Sequence, residues 1–411
     1  MKRAESISSE RSAAPRFAAA MSTDTECDLA LEKIQDSLRS DMTGVSVDLA
    51  CVFVSHHYGV ALEDLGPRLA KALGAKVLIG SSGETIIGGV REVEEGPALS
   101  VWAAHLPGTE VRPFEATLEM QPDGTGHFNG APEIRDNERA SVLLFADPYS
   151  FAADEYLSML DQRFPGVPVV GGMSSGGQGP GQNLLITERG LVAAGAVGVV
   201  LEGEVEVQSV VSQGCRPVGK PWVVTACEQN VLRTLASRPA AEVLFETMAT
   251  LSKADRALFQ RQPFIGLAID AAKSSFERGD FLVRGIVGIE PKTKSFTVGD
   301  TLRRGQTVQF LVRDAESASE DLAAMMRSHT SQTLRQGAHD HASGALLFSC
   351  NGRGTNMFSV PDHDISAVRS GLSNDIPIAG FFANGEFGPV GRRNFLHGFT
   401  ASLAVFQVRR A

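Results

Sequence analysis

The residues of this chain that could do chemistry lie in polar, glycine-rich turns, each of which follows an apolar stretch. One turn spans residues 80–84 and another spans residues 171–177, and both contain paired serines. Two further turns, at residues 349–354 and 384–388, contain an arginine and a glutamate. Glycines allow backbone N–H groups to converge on an anion because no Cβ stands in the way. This composition is typical of a binding site for a small polar ligand.

Arg353 and Glu386 give the most specific hypothesis about that ligand. A guanidinium presents a planar fork of donors that matches a carboxylate or a phosphate. Beside a glutamate it offers a cation and an anion, which is the pair that a zwitterionic amino acid needs. Alternatively, Arg353 ties its own loop to an acidic residue such as Glu386. Both hypotheses place the two side chains close together, and only ligand binding separates them.

The same turns supply all the residues that we expect to contact such a ligand. These residues are Ser81, Ser82, Glu84, Ser174, Ser175, Ser349, Asn351, Gly352, Arg353, Gly354, Asn384 and Glu386. The turn at residues 80–84 repeats the Gly-Glu ending of the turn at residues 384–388. This repetition predicts either a second, equivalent site or a cleft shared between domains, and a simple tight turn is the alternative.

Cys350 raises the possibility of nucleophilic catalysis, with His363 or His397 as the base. The residues around Cys350 match no signature of a cysteine-dependent enzyme. A cysteine at the end of a strand is most often a small buried hydrophobe. We therefore expect no catalytic residue, and we keep a cysteine-dependent enzyme as an alternative.

Metal and nucleotide sites have weaker support in the sequence. Two histidine clusters, His56-His57 and His339-Asp340-His341, could bind a metal, but such pairs are a weak signal. The turn at residues 171–179 resembles a phosphate-binding loop. It lacks the Lys-Ser/Thr ending of a P-loop and the spacing of a dinucleotide fingerprint. We expect neither a metal nor a cofactor.

Three repeated stretches must position these turns. They span residues 51–84, 142–177 and 345–386, and each consists of an apolar strand, a turn, a helix and a second apolar strand. This pattern indicates a β-α-β unit, whose parallel strands end at one edge of the sheet. Ligands of such folds bind at that edge. The sequence therefore predicts an α/β fold with mixed sheets, built from repeated β-α-β-like units.

The domain organisation follows from the same pattern. We expect a disordered tail and a short helix over residues 1–40, followed by two related α/β domains over residues 41–236 and 237–411. The apolar runs before and after residues 202–204 predict a hairpin within the first domain.

Composition excludes several classes of protein. The chain has 411 residues and a formal net charge of −10 at pH 7, whereas a nucleic-acid partner requires a basic surface. Because no run of about 18 apolar residues occurs, we expect no membrane span. Five scattered cysteines do not form the pattern of a disulfide framework, which favours a reducing compartment such as the cytoplasm. The first 20 residues could alternatively be an organellar transit peptide.

Motifs in both halves of the chain resemble those of a known family. The motifs of the C-terminal half lie at residues 347–354, 357–358, 363–365, 380–389 and 394–400. The motifs of the N-terminal half lie at residues 171–174, 195–199 and 214–219. Together they resemble the two halves of the FIST family, the sensory domain named for F-box and intracellular signal transduction proteins. The resemblance covers residues 45–408.

The resemblance implies a sensor of small ligands, with amino acids and their relatives as the proposed class. Bacterial members often sit beside or within signalling proteins, and eukaryotic relatives carry an F-box and act as ubiquitin-ligase adaptors. Because the first 45 residues of the sequence are too short and too polar for an F-box with a linker, we expect no F-box here, and we expect no output domain after residue 411. We therefore expect signalling through a separate partner protein. The alternative is an adaptor or scaffold that binds no small ligand.

Overall fold

The computed structural model describes three successive units and one inserted barrel. The described residues are 14–122, 126–270, 273, 275–276, 279–335, 343–372 and 375–409. The first unit comprises β1 (Arg16–Ser22), α1 (Cys27–Asp41), β2 (Leu49–Val54), α2 (Leu65–Leu73), β3 (Val77–Ser82), β4 (Ile86–Gly88), β5 (Arg91–Val93) and β6 (Leu99–His105). The second comprises β7 (Thr109–Met120), β8 (Gly126–Asn129), β9 (Ala140–Ala146), α3 (Ala153–Arg163), β10 (Val169–Met173), β11 (Leu185–Thr187), β12 (Gly190–Val192) and β13 (Ala196–Gly203).

The third unit is interrupted after its first strand by the barrel. It begins with β14 (Val205–Gln213). The insertion comprises β15 (Cys215–Glu228), β16 (Val231–Leu235), β17 (Arg238–Pro239), α4 (Ala240–Thr250), α5 (Lys253–Arg261), β18 (Phe264–Ala268), β19 (Phe281–Glu290), β20 (Ser295–Val298) and β21 (Thr307–Arg313). The unit then resumes with α6 (Ala315–Arg335), β22 (Gly344–Cys350), α7 (His363–Leu372), β23 (Ile378–Ala383), β24 (Glu386–Val390), β25 (Arg393–His397) and β26 (Thr400–Val408).

Each unit contains a pair of parallel strands joined through a helix. The pairs are β2 with β3, β9 with β10 and β22 with β23. Nearly every residue of these six strands is buried, which explains why their sequences are continuously apolar. The remaining pairings in the three sheets are antiparallel. The prediction of an α/β fold with mixed sheets and repeated β-α-β units is confirmed.

The three units exchange hairpins in a ring. The β4–β5 hairpin of the first unit pairs with β23 of the third. The β11–β12 hairpin of the second unit pairs with β3 of the first, and the β24–β25 hairpin of the third pairs with β10 of the second. Each sheet is therefore completed by a neighbouring unit, and the carboxyl ends of the parallel pairs converge.

Three equivalent phenylalanines form the centre of this ring. Phe53, Phe145 and Phe348 occupy matching positions near the ends of β2, β9 and β22. Their ring centroids lie 5.5 to 6.2 Å apart, and all three side chains are fully buried. Such distances lie within the range of favourable aromatic contacts. Each unit thus contributes one large side chain to a core that belongs to all three.

The inserted barrel is a separate sheet with its own core. Strands β15, β21, β18, β19, β20 and β16 pair antiparallel in that order, and the β15–β16 pairing closes the ring. Phe296 and Phe310 pack inside it, and Phe259 of α5 joins the same cluster. The barrel connects β14 to α6 of the third unit, and Arg284 on its β19 also lies 3.8 Å from Asp154 of α3 in the second unit.

Two expectations from the sequence need correction, and the domain boundary expected at residue 236 stays a prediction. Residues 16–20 were expected in a disordered tail but begin β1, which pairs with β6 along its whole length; residues 1–13 lie outside the described part. The predicted hairpin around residues 202–204 is wrong, because β13 pairs with β7 and β9, whereas β14 pairs with β26 in another sheet. The sheets also cross the domain boundary expected at residue 236, through the exchanged hairpins.

The shared core predicts a large effect from truncating one phenylalanine. Replacing Phe145 with alanine should lower the free energy of unfolding by about 3–5 kcal/mol, because it leaves a cavity where three sheets meet. Phe245→Ala is the control, since Phe245 of α4 is 48% exposed and should cost less than about 0.5 kcal/mol. Urea unfolding followed by circular dichroism measures both variants. Equal effects of the two substitutions would contradict a core shared by the three units.

Candidate functional site

The carboxyl ends of β22 and β23 bring together the two turns of the third unit. Cys350 and Ala383 are paired in register, so the residues that follow them are neighbours. Asn351 N donates a hydrogen bond to Ala383 O at 3.1 Å. Asn351 Nδ2 donates to Asn384 Oδ1 at 2.9 Å. The structure thus joins two of the predicted ligand contacts, Asn351 and Asn384, into one polar edge.

Arg353 pairs with Asp364 of α7 and not with Glu386. Its Nε lies 2.6 Å from Asp364 Oδ2 and its Nη2 lies 2.8 Å from Oδ1, and both side chains are fully buried. This is the bidentate geometry that was expected for a ligand carboxylate. A carboxylate of the protein therefore occupies the fork. The sequence suggested Glu386 as an example of such a partner, whereas the structure has Asp364 in that position. The sequence correctly predicted that the ends of β22 and β23 lie close together. It did not predict that the start of α7 lies beside them.

Asp364 is the hub of a buried hydrogen-bond network. Ser349 Oγ donates to its Oδ2 at 2.9 Å, and His363 Nδ1 lies 2.8 Å from its Oδ1. Burial favours the neutral acid, but the charge and hydrogen bonds of Arg353 outweigh it and hold the pKa of Asp364 well below its usual value. Removing either partner of such a pair would strand a buried charge. Ser349 and Arg353 therefore stabilise the loop that carries Asn351.

The network extends to α6 through His363. Its Nε2 lies 2.6 Å from Ser319 Oγ, and its ring stacks on Phe358 at 3.4 Å. The order of serine, histidine and aspartate resembles a catalytic triad. Here, however, Arg353 already binds both oxygens of the aspartate, so the carboxylate is neutralised by a fixed cation. We interpret this series of hydrogen bonds as a structural connection between α6 and α7.

The exchanged β4–β5 hairpin supplies acidic groups that fix the same loop. Glu94 accepts hydrogen bonds from the backbone N and Oγ1 of Thr355. Gly354 has a φ of +58°, and a Cβ there would lie 2.8 Å from the Glu94 carboxylate. Glu92 Oε1 accepts from the N–H of Ile365 at the start of α7. Gly354 is thus required for close approach between units, which is a structural role.

Glu386 is fully buried beside this loop. Its Oε2 accepts hydrogen bonds from Thr400 N at 3.2 Å and Thr400 Oγ1 at 2.7 Å. Its Oε1 has no hydrogen-bond partner. Burial raises the pKa of Glu386 to about 8, although the hydrogen bonds of Thr400 and the charges of Arg353 and Arg313 act in the opposite direction. The side chain therefore carries a proton over much of the neutral range.

Unpartnered polar atoms concentrate around this loop. Within the described residues, eleven buried side-chain nitrogen or oxygen atoms have no hydrogen-bond partner. Five of them belong to Arg313, Asn351, Arg353 and Glu386. Native proteins keep few such atoms, and a cluster of them often marks a functional site. This concentration singles out the carboxyl edge of the third unit.

The four predicted serines of the first two units lie in a different environment. Ser81 Oγ lies 2.8 Å from Ser174 Oγ, and Ser82 Oγ donates to Ser175 O at 3.1 Å. Ser175 Oγ donates to Phe382 O of the third unit. All four are buried, so they join the units to one another. Glu84 is exposed, and its N–H donates to Ser175 Oγ at 2.9 Å.

A cavity of about 330 Å³ opens between the polar edge and the barrel, and we call it the edge cavity. Its lining includes Asp154, Arg284, Cys350, Asn351, Asn384 and His397. Arg284 Nε donates to Asp300 Oδ2 at 2.8 Å, and its Nη2 lies 3.8 Å from Asp154 Oδ1. The cavity therefore combines amide groups, a carboxylate that is 52% exposed and a guanidinium.

The sequence did not single out Asp154 or the barrel residues Arg284 and Arg313. Arg284 follows three apolar residues in a strand, and nothing in its spacing connects it with Asn351.

Of the histidine clusters, His56 contacts Ser175 O and His57 contacts Ser55 Oγ. The second cluster, at residues 339–341, lies outside the described residues. No group of three metal-ligating side chains occurs within the described ranges.

Two family profiles match most of the chain. The profile of the FIST N domain matches residues 48–238, and that of the FIST C domain matches residues 240–389. The chain therefore belongs to the FIST family. FIST domains are in general sensory and signal-transduction domains and not enzymes. No helix in the described part of the chain is long and apolar enough to cross a membrane.

Curated relatives match this chain over nearly its whole length. An uncharacterized protein of Mycobacterium tuberculosis (strain H37Rv) is 37% identical over 368 residues, which cover 90% of this chain and 93% of the relative. An uncharacterized protein of Mycobacterium bovis is 36% identical over 368 residues, which cover 90% of this chain and 92% of the relative.

The buried Glu386 predicts an unusual dependence of stability on pH. Between the ordinary glutamate pKa of 4.5 and the folded value of about 8, the folded state holds a proton that the unfolded state has lost. The free energy of unfolding should therefore fall as the pH rises towards 8, by up to about 1.4 kcal/mol per pH unit for each such group. Glu92, whose pKa burial also raises to about 8, adds a second contribution.

Urea unfolding between pH 6.5 and 8 measures this slope. Glu386→Gln should reduce the slope by about half, because the amide resembles the protonated acid and leaves Glu92 as the remaining group. Glu84→Gln should leave the slope unchanged, since Glu84 is exposed. A Glu386→Gln variant with the full wild-type slope would show that Glu386 is ionised in the folded protein.

Proposed function

We propose that the protein senses an amino acid or a related carboxylate in the edge cavity and signals through a separate partner protein. The observation that carries this proposal is the position of the cavity. It opens at the carboxyl ends of a parallel strand pair, which is where α/β folds bind ligands. It is lined by Asn351 and Asn384, which were predicted from the sequence, and by charged groups of both signs.

The charges favour a zwitterionic ligand. The Asp154 carboxylate can accept hydrogen bonds from an ammonium group, and Nη2 of Arg284 can donate to a carboxylate. Asn351 Oδ1 is buried without a hydrogen-bond partner and can accept from a ligand N–H. A cavity of about 330 Å³ lies at the lower end of the range for small-molecule sites. It fits a single amino acid better than a nucleotide or a peptide.

The location also supports a sensory role. Arg284 belongs to β19 of the barrel, whereas Asn351 and Asn384 belong to the third unit. A ligand that contacts both would bind one relative arrangement of barrel and unit more tightly than others. Only such differential affinity lets a ligand shift a conformational equilibrium. We infer that the partner protein recognises this arrangement.

Catalysis by Cys350 has less support. Burial is the largest effect on its thiol and, together with the nearby Glu386 carboxylate, raises the pKa of Cys350 to about 11. The thiolate is the nucleophilic form, and it is scarce at neutral pH when the pKa is so high. The raised pKa of Cys350 therefore favours a binding site over a cysteine-dependent enzyme.

A thermal-shift screen with each of the twenty standard amino acids tests the proposal. A ligand at one hundred times its dissociation constant adds about 2.7 kcal/mol to the free energy of unfolding. Asp154→Asn should weaken binding about tenfold or more, because the neutral amide cannot form an ion pair with the ammonium group. Asp41→Asn, at the exposed end of α1, is the matched control and should bind as the wild type does.

Two results would contradict the proposal. One is a wild-type protein that none of the twenty amino acids stabilises. The other is an Asp154→Asn variant whose affinity for the stabilising amino acid equals that of the wild type in calorimetric titration.

A further inference from the structure

A second cavity lies against the same loop and contains two arginines, so we call it the arginine cavity. It has a volume of about 190 Å³. Its lining includes Arg261, Phe264, Arg313, Gly352, Asn356 and Met357. Gly352 directly follows Asn351 of the edge cavity. The two cavities therefore adjoin one loop, but their lining residues differ.

Arg313 has an unsatisfied guanidinium. Its Nε and Nη2 are buried without a hydrogen-bond partner. The guanidinium lies over the ring of Phe399, with 5.3 Å between Cζ and the ring centroid. Buried donors without acceptors are costly, and the cost is greater when the group is charged. By contrast, the neighbouring Arg353 binds both oxygens of Asp364.

The acidic groups near Arg313 are already engaged or neutral. Asp314 caps α6 through the N–H of Ser317 at 2.8 Å and accepts from Arg216 Nε at 3.0 Å. Glu386 lies close enough to influence Arg313, but its pKa of about 8 keeps it largely protonated at pH 7. Arg261 is exposed at the end of α5 and adds a second positive charge. The balance of charge in the cavity is positive.

We propose that the arginine cavity is a second binding site, for a short-chain carboxylate without an ammonium group, whose negative charge Arg313 and Arg261 hold. The site is distinct from the amino-acid site proposed for the edge cavity. A guanidinium fork suits a carboxylate because it forms two parallel hydrogen bonds. An ammonium group would find no free carboxylate here, since Asp314 is taken by Arg216 and the cap of α6.

The volume restricts the ligand further. A cavity of about 190 Å³ is smaller than the usual range of about 300–1,000 Å³ for small-molecule sites. This size favours an acid of two to five carbons over a nucleotide. Phe264 and Met357 supply apolar contacts for a short carbon chain, and Arg261 can bind a second carboxylate at the rim. A four-carbon dicarboxylate satisfies all of these constraints.

Calorimetric titration with succinate at constant ionic strength tests the site. We expect the wild type to bind succinate and Arg313→Lys to bind it about tenfold or more weakly, because lysine cannot form the two parallel bonds. Arg261→Gln should weaken binding several-fold. Because Arg261 lies at the exposed end of α5, the variant protein should fold as the wild type does. Arg304→Gln, an exposed arginine that lines another cavity, is the matched control and should bind succinate as the wild type does.

Three further measurements distinguish this site from alternatives. Succinamide, a neutral analogue, should not bind, and inorganic phosphate should bind more weakly than succinate. Asp154→Asn should bind succinate normally, because it alters only the edge cavity. The proposal is overturned if the wild type does not bind succinate, or if Arg313→Lys and Arg261→Gln both bind it with wild-type affinity. If phosphate binds as tightly as succinate does, the site accepts anions in general and is not specific for carboxylates.

Discussion

The exchange of hairpins among three β-α-β units is the constraint on which the rest of this structure depends. Each parallel pair lacks a complete sheet until a hairpin from another unit adds to it. The exchange also forces Phe53, Phe145 and Phe348 into one core. Because the strands that carry these residues all end near that core, the polar turns that follow them are brought together. The fold therefore brings the ends of three parallel strand pairs close together. Contacts between units bury the turns at two of these ends.

The site arises where the threefold repetition is broken. In the first two units the turns use their serines to bind one another and the third unit. In the third unit the barrel is inserted between β14 and α6, and its strand β19 faces the turns across a cavity. Asn351 Oδ1 lines this cavity and has no hydrogen-bond partner within the described part of the protein. Repetition thus provides a rigid frame, whereas the insertion provides the surface that a ligand can bind.

Local patterns in the sequence predicted the parts of the fold that depend on local interactions. The three parallel pairs follow from apolar runs separated by helical segments, and the approach of Asn351 to Asn384 follows from parallel pairing. The exchanged hairpins could not be predicted, because β4, β11 and β24 are short and their partners belong to other units. The pairing of Arg353 with Asp364 was missed because it depends on how α7 begins beneath the loop. Asp154, Arg284 and Arg313 reach the site only through tertiary packing.

Hydrogen–deuterium exchange provides the most direct test of the claim that the ligand binds between the barrel and the third unit. The protein would be compared with and without a mixture of the twenty standard amino acids at saturating concentration. We predict slower exchange in residues 283–285, 350–352 and 384–399, and unchanged exchange in the serine turns at residues 80–85 and 172–176. Slower exchange confined to the serine turns would contradict the account, because the binding site would then lie at the seam between the first two units.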